Sequence, residues 1–281
     1  MAFATMNFFS KSLMRTVPIN VVIPTDKMVF PGQPAPEKKP FKLMILLHGI
    51  LGSYVDWVNG TRIQALASDK NICVVMPSGD NKFYCDSELS GDKYGTFIAK
   101  DLVEFMRDTF PISDKREDTI IAGLSMGGFG ALVNGLRNPD TFGYIAALSS
   151  ALIKEGILTS VNENSHDFFT RRQYGTIFGV EDVADYEGSV NDYEALAKNL
   201  AGKDNMPSIY MACGTEDFLF SKNVAYKDLL TELGYDLTWE CGPGVHNWAF
   251  WDAYIEKALN WLPLGDAVKG VSSENVGVAK D

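Results

Sequence analysis

Positive charge is in short supply in this sequence. Lys and Arg number 25 against 36 Asp and Glu, a formal net charge of −11. A nucleic-acid surface needs clustered Lys and Arg, so the balance argues against that class of partner. Long apolar runs are also missing. The longest, such as Leu43-Met44-Ile45-Leu46-Leu47, fall far short of a membrane span. The stretch 1–15 is apolar in places but has no basic segment ahead of a continuous apolar one, so no export signal is read there. Cysteine is scarce: Cys73, Cys85, Cys213 and Cys241 form neither a C-x-x-C pair nor a His-containing metal pattern. Reduced, unbridged thiols in a cytoplasmic protein are the expectation. Histidine is scarcer still, with 3 residues in 281, so the search for a catalytic base is short.

What is present can build a large core, at 46% hydrophobic residues. The segments around Asn7-Phe8-Phe9 and Val17 to Pro24 alternate like antiparallel strands. After a Pro- and Lys-rich loop at 31–40, the strand patterns become apolar throughout: Lys42 to Leu47, Ile72 to Met76, Thr119 to Ala122, Tyr144 to Leu148 and Ser208 to Ala212. Such strands are buried on both faces, which marks a parallel sheet between helical layers. Helical periodicity separates them at Thr96 to Phe110, Val224 to Leu233 and Trp248 to Trp261. The alternation predicts a doubly wound α/β fold. Residues 1–150 and 206–264 read as its core. A polar and aromatic excursion at 151–205 reads as a small inserted cap, its aromatics offering a lid, and 265–281 as a mobile tail.

Chemistry concentrates at Gly123-Leu124-Ser125-Met126-Gly127. It follows an apolar strand and opens a Gly/Ala-rich helix, the context in which a G-x-S-x-G lifts a serine above the sheet. A serine hydroxyl needs a neighbouring base. Of His48, His166 and His246, only His246 lies after the last strand and before the last helix, where that architecture carries its histidine. The acid must come between them at a strand end. Gly214-Thr215-Glu216-Asp217-Phe218 supplies Asp217, with Glu216 as the alternative. The backbone N–H of Met126 and one from His48-Gly49-Ile50-Leu51-Gly52 would form the oxyanion hole. Ile50 is assigned, with Leu51 as the other register. His48 is read as shaping that loop. Trp248 reads either as an aromatic wall of the pocket or as helix packing, and Trp251 as core.

These four motifs in register resemble the esterase D-type serine esterases, a group that includes tributyrin esterases, cinnamoyl (feruloyl) esterases and S-formylglutathione hydrolases. The likeness runs from about Asn7 to Pro263. It implies an α/β-hydrolase fold and a serine carboxylesterase with Ser125, Asp217 and His246 as its triad. Short-chain acyl or hydroxycinnamoyl esters would be cleaved through an acyl-enzyme, with Leu51 and Trp248 near the substrate. The formylglutathione hydrolases so resembled usually carry cysteine just after the oxyanion loop, where this chain has Gly52-Ser53. No metal or cofactor is called for, and the expected partner is a small-molecule ester, without nucleic acid or membrane. Self-association stays open. A thioesterase, an acyltransferase with the same triad and a non-catalytic binding protein are the alternatives.

Overall fold

The computed structural model describes residues 1–28, 39–163 and 168–264. His166, most of the 31–40 loop and the 265–281 tail lie outside the described residues. One eight-stranded sheet runs through the molecule in the order β1-β2-β4-β3-β5-β6-β7-β8. Strands β1 (Ala2–Ser10) and β2 (Arg15–Ile23) form the antiparallel hairpin, and β2 pairs antiparallel with β4 (Cys73–Pro77). From β4 onward every pairing is parallel: β3 (Leu43–Leu47), β5 (Thr119–Leu124), β6 (Tyr144–Leu148), β7 (Ser208–Gly214) and β8 (Leu237–Gly242).

The uniformly apolar strands still alternate in where their side chains go. Leu43, Ile45 and Leu47 of β3 enter one core, whereas Met44 and Leu46 enter the other. Both faces therefore need a helical cover. One cover is α1 (Asp56–Gly60), α2 (Ile63–Lys70) and α10 (Trp248–Trp261). The other is built mainly from α4 (Leu102–Thr109), α5 (Met126–Arg137), α8 (Tyr193–Leu200) and α9 (Phe220–Glu232). Helix α4 is entered from α3 (Tyr94–Thr96) through a π-turn at Phe97–Asp101, which keeps Phe97, Ile98, Leu102 and Met106 buried on one side.

The 151–205 excursion holds α6 (Lys154–Thr159), α7 (Arg171–Phe178), a 3₁₀ turn at Val183–Tyr186 and α8. Its aromatics correct the expectation of a lid. Tyr174, Phe178 and Tyr186 are buried in the main core, where Phe178 packs on Phe83 and Phe129 at ring separations of 5.3 and 5.8 Å. Of those described, Phe168 alone stands exposed. Burial of apolar rings on the sheet's own helix outweighs any advantage of leaving them in water.

β4 and β5 flank β3 on opposite sides, so the chain reverses direction across the sheet there. Open α/β sheets bind ligands outside the carboxyl ends of strands at such a reversal.

Candidate active site

All the chemistry read from the sequence converges on that carboxyl edge. Ser125 follows β5, His48 to Ile50 follow β3, Asp217 follows β7 and His246 follows β8. Ser125 occupies the turn between β5 and α5 at φ 53° and ψ −117°, outside the conformations open to most L-residues. Such strain costs about 1–3 kcal/mol and persists only when neighbours dictate it. They do so here. The Ser125 N–H donates to the Leu148 carbonyl at 2.9 Å, and the Ser125 carbonyl accepts from Phe129 N–H at 3.0 Å and Ala151 N–H at 2.9 Å.

The flanking glycines make the turn sterically feasible. A Cβ on Gly123 would sit 2.4 Å from the Gly127 carbonyl, and one on Gly127 would sit 2.3 Å from the Leu47 carbonyl oxygen. Both obstacles are backbone and cannot swing aside. Gly123→Ala is therefore expected to lower stability by about 3 kcal/mol, the upper end for overpacking, or to prevent folding. A denaturant titration checks this, and an unchanged midpoint would contradict the strand–helix contact.

His246 bridges the serine and the acid. Its Nε2 lies 3.0 Å from Ser125 Oγ, and its Nδ1 lies 2.8 Å from Asp217 Oδ2. With the carboxylate as acceptor, Nδ1 carries the proton and Nε2 faces the hydroxyl as acceptor. Asp217 has its side chain fully buried. Burial pushes its carboxyl up, but hydrogen bonds from His246, from the Leu219 N–H at 2.9 Å and from Ser149 outweigh this and hold it below the ordinary carboxylate range. Glu216 takes a different part. Exposed, it accepts the Gly244 N–H at 2.6 Å and so braces the loop that carries His246.

The backbone donors divide cleanly. The Leu51 N–H is engaged by Asn81 Oδ1 at 2.8 Å. The N–H groups of Ile50 and Met126 have no hydrogen-bond partner among the described residues. Gly49 brings this loop against the serine: a Cβ there would be 3.5 Å from Ser125 Cβ. His48 is buried and accepts the Gly79 N–H on Nε2 at 2.9 Å, while its Nδ1–H donates to the Gly49 carbonyl at 2.6 Å. Burial keeps its pKa down, and Nε2 is already committed, so it holds the loop and has no free acceptor nitrogen.

Leu51 is 74% exposed, two residues beyond the Gly49 that packs on the serine, and Trp248 is half-buried against Trp57 and Trp251, its ring filling the space beside Gly60. Trp251 is core, as read, and its Nε1–H donates to Ser149 Oγ at 3.2 Å. Two residues escaped the sequence reading. Ser149, buried with φ 44°, links Trp251 to Asp217. Phe218, 73% exposed, lies with its ring 4.8 Å from that of His246. Its place directly after the acid was the available signal. The cysteines are all free, and Cys241 is exposed instead of packed in its strand. Among the described residues no His, Cys, Asp and Glu group is arranged to hold a metal ion, and no helix is long and apolar enough to cross a membrane.

A mostly parallel eight-stranded sheet carrying these loops at its carboxyl edge has the α/β-hydrolase fold. The chain belongs to the Esterase family, whose model, described as "Putative esterase", matches residues 10–262. It is similar to an acetyl esterase of Caldicellulosiruptor saccharolyticus, with 40% identity over 263 residues that cover 93% of this chain and 98% of that protein. Among solved structures it is similar to FphF, a fluorophosphonate-binding serine hydrolase of Staphylococcus aureus. The TM-score is 0.80 at 27% identity, over 94% of this chain and 99% of that one. It is also similar to the S-formylglutathione hydrolase FrmB of the same organism, with a TM-score of 0.78 at 26% identity over 94% and 99%. The protein is a serine esterase, a carboxylic ester hydrolase acting on small-molecule esters.

Proposed function

We propose that Ser125 is the nucleophile, His246 the general base and acid, and Asp217 the residue that orients His246. The observation that carries this reading is the continuous relay Ser125–His246–Asp217 at 3.0 and 2.8 Å. Ser125 Oγ attacks the ester carbonyl as His246 Nε2 takes its proton. The same proton then goes to the departing alkoxide, leaving an acyl-enzyme. Water, deprotonated by the same nitrogen, releases the acid. Ile50 and Met126 N–H groups hold the oxyanion through both steps. Leu51 takes no part as a donor, because its N–H is committed to Asn81.

The acyl group is proposed to be short, acetyl foremost. The 40% identical acetyl esterase, aligned over nearly its whole length, supports this over a hydroxycinnamoyl ester. Exposed Phe218, with its ring 4.8 Å from that of His246, and exposed Val245, adjoining His246 in the chain, suit an apolar or aryl alcohol. Four free thiols support a cytoplasmic setting. A panel of p-nitrophenyl acetate, butyrate and octanoate, methyl ferulate and S-formylglutathione tests the substrate reading. Acetate should give the highest kcat/KM, declining with chain length. Preference for ferulate or the thioester by tenfold or more would overturn it.

A further inference from the structure

The loop 78–85 is among the most strained segments of the described chain. Asp80, Phe83 and Tyr84 all have positive φ, at 44°, 52° and 56°, and none is glycine. Residues of that kind are held there at a cost, and such costs concentrate at functional sites. The loop contains none of the triad, and three of its hydrogen bonds meet the segment that follows β3. Gly79 N–H donates to His48 Nε2 at 2.9 Å, the Tyr84 hydroxyl donates to the His48 carbonyl at 2.9 Å, and Asn81 Oδ1 accepts the Leu51 N–H at 2.8 Å. From behind, Asp80 is held by Arg15 and by the Tyr94 hydroxyl.

These bonds bear on the orientation of one donor. A peptide group is planar and trans, so fixing its carbonyl fixes the opposite direction of the following N–H. His48 Nδ1–H on the Gly49 carbonyl thus sets the plane that contains the Ile50 N–H. The Gly52 N–H donates to the same Gly49 carbonyl at 3.3 Å and closes a turn around Ile50 and Leu51. Within that turn the Ile50–Leu51 plane is held from outside by the Leu51 N–H on Asn81, Leu51 having a φ of 65°. If that bond is lost, Leu51 relaxes toward negative φ, and the turn at Ile50 relaxes with it.

We propose that Asn81 is a positioning residue of the oxyanion hole, fixing the loop from outside the site so that the Ile50 N–H meets the developing oxyanion. This rests on the reading of Ser125 as nucleophile and Ile50 as donor. A side chain 30 residues from the loop it holds would then fix a catalytic geometry together with the backbone turn that Gly52 N–H closes on the Gly49 carbonyl.

Asn81→Ala tests it, with p-nitrophenyl acetate as substrate and a trifluoromethyl ketone, which forms a hemiketal oxyanion on serine, as inhibitor. A misplaced donor should lower kcat by about ten- to a hundredfold. KM should stay within about twofold, and the ketone's inhibition constant should rise by the factor lost in kcat/KM. The melting temperature should change little, since Asn81 is partly exposed. A general loosening of the loop would instead raise KM and lower the melting temperature, and that pattern would overturn the proposal. So would an unchanged kcat. If Asn81→Ala does not fold, Asn81→Ser, whose shorter side chain cannot span the same gap, gives the same reading. Fluorophosphonate labelling of the unaltered enzyme separates the two levels. A labelled enzyme whose Asn81 variant keeps full kcat defeats only the positioning role, whereas an enzyme that does not label defeats the Ser125 reading beneath it.

Discussion

Ser125→Ala is expected to lower kcat on p-nitrophenyl acetate by roughly 10⁵- to 10⁶-fold, the loss seen when a triad nucleophile is removed. The variant should keep the circular dichroism spectrum of the parent. Alanine keeps the Cβ and the backbone bonds to Leu148, Phe129 and Ala151, and loses only the hydroxyl that faces His246. The local strain at φ 53° is common to both residues, so stability should scarcely move. A fluorophosphonate should label the parent and not the variant. Turnover above about one per cent of the parent rate would mean that another group attacks the ester, and the assignment of Ser125 would fall. The residual rate is itself informative. The Ile50 and Met126 N–H groups, proposed as the oxyanion donors, are untouched by the substitution, and oxyanion stabilisation alone leaves catalysis well above the uncatalysed level.

How much of this could be read beforehand depended on the range of the interactions involved. Strands β3, β5, β6 and β7 were legible because both faces are buried and nearly every position is apolar. His246 and Asp217 were legible because their loops follow strand ends that must share one edge of a parallel sheet. Helices α1 and α2 were not, since they are short and α2 carries little apolar periodicity. The aromatics of 151–205 misled because a ring that covers a pocket and a ring that fills a core have the same composition. Phe178 declares itself only through its contacts with Phe83 and Phe129, distant in sequence. The strained loop 78–85 gave no warning at all. Positive φ is legible when glycine supplies it, and here Asp80, Phe83 and Tyr84 do. The choice between Ile50 and Leu51 likewise depends on Asn81, a partner no local pattern announces.

Asp217→Asn should lower kcat about 10⁴-fold with little change in KM, for a reason that lies in one proton. Asparagine preserves the shape and the bond from Leu219 N–H. Toward His246, however, its amide can donate, which favours the proton on Nε2 and leaves that nitrogen unable to accept from Ser125. Glu216 cannot take over, because its carboxylate is bound to the Gly244 N–H and braces the histidine loop. Acid stability gives an independent reading of the same group. Asp217 titrates below the ordinary carboxylate value in the folded protein, since His246, Leu219 and Ser149 together overcome the cost of its burial. Its ionised form therefore stabilises the fold fully above the unfolded-state value of about 3.9, and that contribution is lost as the pH falls through the lower folded value. Between pH 6 and pH 3 the parent should lose more melting temperature than Asp217→Asn, which has nothing to titrate there. Equal losses would mean that the carboxylate is not held as described. A variant keeping more than a tenth of the parent kcat would mean that His246 takes its orientation from elsewhere, and the three-residue relay would then reduce to a pair.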